Sequence, residues 1–242
     1  MRACLVVHGL SGTPATVASV TEGLTEAGYR VIAPCLAGHG GTVEELSATT
    51  WHDWYETVRK AYLELRRDGV TIYYAGISLG ALLGLKLAID EGANIRALSL
   101  LATPLQLLLL NKMLIPLVRY TPLRLAVKSV AKDYRKSVAD PEGQRLYREH
   151  SLPRIPAKAA FQFWDLQKLV RSEIAKVNNP LLLLHSRNDF VAPYSNVHLI
   201  KELVSSPIVE TATFTHSRHV LTLDVERELA TNAILQFFKR FP

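Results

Sequence analysis

Tyr74-Ala75-Gly76-Ile77-Ser78-Leu79-Gly80 separates two apolar runs of different character, and its reading decides the fold. Upstream, Val70-Thr71-Ile72-Tyr73-Tyr74 is β-branched and aromatic; downstream, Ala81-Leu82-Leu83-Gly84-Leu85-Lys86-Leu87-Ala88 is rich in helix formers. A strand that stops, turns sharply and becomes a helix holds the serine between them in a strained conformation, its hydroxyl at the top of the sheet. Gly76 and Gly80 suit such an elbow because a side chain at either position collides with the neighbouring strand or helix. The bare G-x-S-x-G pattern arises by chance in somewhat under about one in ten chains of this length. The flanking strand and helix give it weight.

Outward from the elbow the chain alternates. Residues 2–7 form an apolar run, and His8-Gly9-Leu10-Ser11-Gly12-Thr13-Pro14 is a glycine-rich turn ending in a Thr cap and a Pro suited to a first helical position. A helix from Ala15 to Ala27 stops at Gly28; Tyr29–Ala33 reads as a strand ended by Pro34; Gly38-His39-Gly40-Gly41-Thr42 is a loop. The next helix, Thr50 to Arg67, carries Trp51, Trp54, Val58, Ala61, Tyr62 and Leu65 at spacings of three and four. Beyond the elbow helix, Ile95–Ala102 is a strand, and alternation resumes with a strand at 180–185, a helix at 195–204, a strand at 208–214 and a helix at 224–240. Between them, residues 104–170 lack a clear strand and read as short helices punctuated by Pro116, Pro122, Pro141, Pro153 and Pro156. This predicts an α/β fold: a mostly parallel sheet of about six strands, helices on both faces, formed by residues 1–103 and 171–242, with the helical segment 104–170 inserted between the fourth and fifth strands.

Composition agrees with one such domain. At 242 residues, 48% apolar and 21% charged, with no low-complexity tract or internal repeat, the chain is neither disordered nor a solenoid. Two cysteines, Cys4 and Cys35, imply no disulfide framework and are expected to be buried thiols. The first eight residues hold too short an apolar stretch for a signal peptide, which predicts a cytoplasmic protein, and the apolar segment Leu105–Val118 falls short of the roughly 20 residues that span a bilayer. Residues 104–170 carry 12 Lys/Arg against 5 Asp/Glu, whereas the whole chain has a net charge of +6. All of the basic excess therefore sits in the insertion. It predicts either a solvated helical surface or attraction to anionic substrates and transient contact with a membrane surface. Without aromatic-interleaved basic motifs it does not predict nucleic-acid binding.

A serine hydroxyl is a poor nucleophile until a base takes its proton, and that base needs an acid to orient it. After an elbow the acid and then the His follow in loops at the ends of later strands. Asp189, in Ser186-Arg187-Asn188-Asp189-Phe190-Val191, and His219, in Thr215-His216-Ser217-Arg218-His219-Val220, occupy such positions. His216 is the alternative base; His219 is preferred because it lies closer to the last helix. His8 and His39 are expected to scaffold loops, His52, His150 and His198 to lie on the surface, and His185 to be a half-buried structural residue. A tetrahedral intermediate also needs backbone donors. Leu79, following the serine, supplies one, and Leu10 is the candidate for the second. No H-E-x-x-H, C-x-x-C or phosphate loop occurs, so neither a metal nor a cofactor is expected.

His8-Gly9-Leu10 with Ser11-Gly12-Thr13, Pro34 with Gly38-His39-Gly40, Trp54, Gly76–Gly80, Asn188-Asp189 and His219–Asp224 together resemble the α/β-hydrolase superfamily, and within it small bacterial carboxylesterases similar to monoacylglycerol lipases. The resemblance covers nearly the whole chain except the insertion. It implies a triad of Ser78, Asp189 and His219, an oxyanion hole of Leu10 and Leu79, and hydrolysis of an apolar acyl ester through an acyl-enzyme under a helical cap. Thioesterase, amidase or peptidase chemistry with the same triad, or non-catalytic binding of an apolar ligand, are the alternatives. The antiparallel pair that opens the family's sheet is absent from this reading, and Arg218 stands where the family usually has Gly, implying a charge near the site.

Overall fold

The computed structural model describes residues 2–242. Its strands are β1 (Arg2–Val7), β2 (Arg30–Ile32), β3 (Thr71–Ile77), β4 (Leu98–Leu101), β5 (Ser129–Ala131), β6 (Arg154–Pro156), β7 (Leu181–Ser186) and β8 (Val209–Phe214). Its helices are α1 (Ala18–Glu26), α2 (Val43–Ala48), α3 (Trp51–Arg67), α4 (Leu79–Glu91), α5 (Leu109–Tyr120), α6 (Leu123–Ala126), α7 (Tyr134–Ser137), α8 (Pro141–Glu149), α9 (Ala157–Glu173), α10 (Ser195–Leu203) and α11 (Arg227–Lys239). Six strands pair in the order β2-β1-β3-β4-β7-β8, every neighbour parallel.

Strand alternation sorts the core into two layers. Leu5 and Val7, Ile72 and Tyr74, and Leu181 and Leu183 face one apolar cluster with α3, α4 and α9; Cys4 and Val6, Tyr73 and Ala75, and Leu182 and Leu184 face the other with α1 and α11. Both faces are buried, which is why the strands read as continuous apolar runs. Helix α4 is apolar nearly all round because the sheet covers one side and α9 the other.

Register then aligns the strand ends. Val7 lies opposite Gly76, Ile77 opposite Leu101, Leu101 opposite Leu184, and Ser186 opposite Phe214. The loops that follow β1, β3, β7 and β8 therefore emerge along one edge, and these are the loops that carry Leu10, Ser78, Asp189 and His219.

Four expectations change. The insertion holds a strand pair, antiparallel β5–β6, whose three-residue members are too short to show a period of two. It also holds one long helix, α9, whose Ala159, Phe163, Leu166 and Val170 join the core cluster beside the sheet. Residues 43–48, expected in a loop, form α2, set by a capping box in which Thr42 and Glu45 satisfy each other's backbone N–H groups. Finally, Cys35 is exposed on the loop after β2 and only Cys4 is buried.

Candidate active site

The elbow is formed as its glycines require. Ser78 has φ 55° and ψ −112°, a left-handed conformation that costs about 1–3 kcal/mol in a non-glycine residue. Its N–H donates to Leu101 O at 2.9 Å and its C=O accepts from Ala81 and Leu82, so strand pairing and the first turn of α4 hold the strain together. A Cβ on Gly80 would lie 2.2 Å from Val7 O, and one on Gly76 would lie 2.6 Å from Gly80 C. Both glycines are required by backbone contact. The Tyr74 hydroxyl donates to Gly80 O at 2.6 Å, a further tie between strand and helix.

Asp189 and His219 meet. His219 Nδ1 lies 2.8 Å from Asp189 Oδ2, so Nδ1–H donates to the carboxylate and Nε2 is left to act as a base. The other carboxylate oxygen, Oδ1, accepts the N–H groups of Val191 and Ala192, each at 2.8 Å. Burial alone would raise the Asp189 pKa, but the neighbouring His219 and hydrogen bonds from His185 and His219 hold it well below the usual carboxylate range. The acid is thus ionised and fully occupied by donors. Ser78 and His219 both line one cavity of about 600 Å³, with no hydrogen bond joining Ser78 Oγ to the imidazole. Links of this kind often close only with substrate bound.

Leu10 and Leu79, the candidate oxyanion donors, both lie close to the serine. A Cβ built on Gly9 would sit 3.5 Å from Ser78 Cβ, so the loop after β1 runs directly beside the serine. Leu10 lines the cavity and Leu79 opens α4. Neither N–H has an acceptor among the described residues. At a helix N-terminus the Leu79 N–H also carries the favourable end of the dipole.

The remaining histidines separate by contact. His216 is exposed and faces Glu226 at 3.5 Å, away from the cavity, so it is not placed to serve Ser78. His8 donates through Nδ1 to Gly9 O at 2.9 Å and accepts Leu36 N–H on Nε2 at 3.1 Å, pinning two loops as expected of a scaffold. Burial, with smaller contributions from His39 and Lys132, pushes its pKa down to about 3. His185 is fully buried rather than half-buried; its Nε2 lies 3.2 Å from Asp189 Oδ2 and 3.1 Å from Ala192 O. It therefore supports the acid, a role its position at the end of an apolar strand does not disclose.

Two more carboxylates hold the loop that carries His219. Glu226 Oε2 accepts the N–H groups of His216 and Ser217 at 3.0 and 2.8 Å, and Asp224 Oδ2 accepts that of Arg218 at 2.7 Å. Asp224 is completely buried and also takes Ala139 N–H and Asp140 N–H at 2.9 Å each, tying the insertion to the His219 loop. Arg218 adopts an ordinary negative φ. Its guanidinium lies over the ring of Phe190, 5.7 Å from its centre, so a loop without glycine here still delivers the imidazole to Asp189. Asp224 is visible within the motif, but its role depends on partners 84 and 85 residues away. The insertion also grips the first loop, where Leu152 N–H donates to Ser11 O at 2.8 Å and Thr13, at the predicted cap position, donates its hydroxyl to His150 O at 3.1 Å.

Residues 1–226 match the family model Hydrolase_4, described as serine aminopeptidase, S33. The chain is 28% identical over 247 residues to a thermostable monoacylglycerol lipase of Bacillus sp. (strain H-257), covering 98% of this chain and 90% of that protein. It is 27% identical over 240 residues to a carboxylesterase of Bacillus subtilis (strain 168), covering 99% and 93% respectively. A solved structure reported with the metagenome-derived lipolytic enzymes LipS and LipT superposes with a TM-score of 0.87 at 25% identity, covering 99% of this chain and 94% of that one.

Proposed function

The chain belongs to the Hydrolase_4 family of α/β-hydrolases, and from that premise we propose that it is a serine carboxylesterase acting on short- to medium-chain acyl esters, monoacylglycerols among them. One observation carries the proposal: a strained serine opens into the same cavity as an imidazole whose far nitrogen is bonded to a buried, donor-saturated carboxylate. Ser78 Oγ attacks the ester carbonyl as His219 Nε2 takes its proton. Asp189 stabilises the resulting imidazolium, and the Leu10 and Leu79 N–H groups receive the oxyanion, a donor of this type being worth about 3–4 kcal/mol. His219 then returns the proton to the departing alkoxide, leaving an acyl-Ser78 that water hydrolyses by the same steps in reverse order.

The cavity lining supports an apolar acyl group. Leu107, Leu114, Ile115, Val118, Phe161 and Phe163 line one wall, contributed by α5, α9 and the segment before α5, so the insertion acts as a cap. Each CH₂ buried there contributes roughly 0.8 kcal/mol, about fourfold in kcat/KM. An aminopeptidase substrate would bring an ammonium group into a cavity whose charged lining is Lys132, Lys136 and Asp133, a net positive set. That favours the ester. The cap also presents an outer face suited to transient contact with anionic membrane surfaces: Leu109, Leu110 and Met113 are exposed, with the exposed Lys112 on the same helix.

The test is labelling with a fluorophosphonate, followed by hydrolysis of p-nitrophenyl esters of graded length. The native chain is expected to label at Ser78 and turn over C4 to C8 esters, while Ser78→Ala loses labelling and about 10⁴- to 10⁶-fold in kcat. Retained turnover in the alanine variant would overturn the assignment.

A further inference from the structure

The cavity beside Ser78 is not apolar throughout. Lys132 lines it, and its Nζ is buried with neither a hydrogen-bond nor an ion-pair partner among the described residues. A desolvated ammonium is costly unless something compensates its charge. Here the compensation is a π face, since Nζ lies 4.2 Å from the centre of the Tyr147 ring.

The surrounding groups leave that cation unmatched. Asp133, the adjacent carboxylate, is committed elsewhere: Oδ1 accepts Lys136 N–H at 3.2 Å as the cap of α7, and Oδ2 faces Lys136 Nζ at 3.8 Å. His8 and His39 are near enough for Lys132 to depress their pKa values further, and both are kept neutral mainly by burial. Tyr134 Oη, also buried, has no hydrogen-bond partner among the described residues, and its ring stands edge-on to Tyr147 at 5.7 Å. Desolvation pushes the Lys132 pKa down to about 7, so an anion brought to Nζ would recover a charge that burial half removes near neutrality.

Its place in the cavity matters. Lys132 N–H donates to Pro153 O at 3.1 Å, and the preceding residue there, Leu152, donates to Ser11 O at 2.8 Å, next to Leu10 and Gly12 on the cavity wall. A chain of contacts thus links Lys132 to the loop that flanks the reacting carbonyl, whereas the α5–α9 wall is apolar apart from Asn111. The cavity has one wall suited to a hydrocarbon chain and another that includes Lys132, whose Nζ is itself buried against the Tyr147 ring. The cap that delivers substrate is itself basic, with 12 Lys/Arg against 5 Asp/Glu in residues 104–170.

We propose that Lys132 is a specificity-determining residue that selects esters carrying one ionised carboxylate elsewhere in the molecule, such as monoesters of dicarboxylic acids. A single buried ammonium matches a single negative charge, whereas a phosphate dianion would leave a surplus charge desolvated. The inference rests on the esterase assignment above.

Two substrate pairs test it, because the carboxylate can sit on either side of the ester. p-Nitrophenyl hemiglutarate is compared with p-nitrophenyl pentanoate, and 4-(butyryloxy)benzoate with its methyl ester. In Lys132→Met the anionic-to-neutral ratio of kcat/KM is expected to fall about 10- to 100-fold in one of the pairs, the effect of a charge-assisted hydrogen bond. Arg135→Met, an exposed cation on α7, serves as the surface control and keeps the native ratio. Ratios unchanged by Lys132→Met in both pairs would overturn the inference while leaving the esterase standing. If no ester is turned over at all, the esterase assignment falls, and calorimetry still decides the lysine. Binding of 5-oxohexanoate, measured against 2-hexanone, should then weaken by the same factor in Lys132→Met; equal affinity in the two chains, or none in either, would refute it.

Discussion

The carboxyl edge of the sheet and the insertion that covers it are built on opposite principles. At the edge, each candidate catalytic side chain is over-determined. Asp189 is held by four donors, the amides of residues 216–218 by Asp224 and Glu226, and Ser78 by strand pairing and a helix start. In the insertion, Leu109, Leu110, Met113, Leu117 and Leu125 stand exposed, and Lys132 Nζ is buried with no hydrogen-bond or ion-pair partner among the described residues. Chemistry that must repeat with a fixed geometry calls for a saturated polar frame, whereas choice of substrate can be left to surfaces completed by what they bind.

The strongest way to break this contrast is to remove one donor-saturated contact at the edge. Asp189→Asn keeps size and burial but replaces an acceptor with an amide whose N–H₂ opposes His219 Nδ1–H. The imidazole is then driven to the tautomer that presents Nε2–H to Ser78 and cannot accept a proton. A fall of about 10³- to 10⁴-fold in kcat, with the fold retained by circular dichroism, is expected. A loss under tenfold would mean that the edge is not tightly determined.

The same contrast separates what the amino-acid sequence makes legible from what it hides. The parallel sheet, the elbow and the Asp189 and His219 loops are legible because each depends on local pattern: apolar runs of four to eight residues, glycines at a turn, loops after strands. The roles of His185 and Asp224 are not, although both residues are in or beside those motifs. They depend on contacts closed only by tertiary packing, His185 turning inward to the acid and Asp224 reaching Ala139 and Asp140 across the insertion. Helix α2 is intermediate. Thr42 and Glu45 form a local capping signal, but the six residues that follow Thr42 are too few to show a helical period, and the glycines before them favour a loop. The ribbon β5–β6 carries no comparable signal, since three residues cannot establish a period.

A smaller effect sharpens the comparison through pH. His8 and His39 support the edge as neutral, buried rings, with pKa values pushed down from 6.5 to about 3 and about 4, mainly by burial. The unfolded chain takes up protons near pH 6.5 that the folded chain refuses until the acidity is far greater. Stability from these groups is therefore complete above about pH 6.5 and is lost progressively as the pH falls toward 4 and 3. His39→Phe preserves an aromatic ring against Trp54, which the His39 ring meets edge-on at 5.7 Å, and removes one such proton site. Between pH 7 and 4.5 the native Tm should drop further than that of the variant, by on the order of 5 °C. Parallel curves would show that burial of this ring carries no such cost.

The smallest effect on the fold is expected where the insertion meets solvent. Leu110 and Met113 are 67% and 64% exposed, so Leu110→Ser with Met113→Ser should change stability by no more than about 0.5 kcal/mol per site. By contrast Leu82, completely buried on α4, cannot be truncated so cheaply. No helix among the described residues is long and apolar enough to cross a membrane. Anionic vesicles should bind the native chain in a salt-sensitive manner, because the exposed Lys112 lies beside the leucines, and should bind the double variant about tenfold more weakly as apolar area is lost. Hydrolysis of a water-soluble ester should remain within a factor of two in the same variant, since neither side chain lines the cavity. If both chains partition equally, the exposed leucines serve another purpose and the cap is a lid alone; if soluble turnover collapses instead, α5 belongs with the over-determined edge and the division between the two regions is wrong.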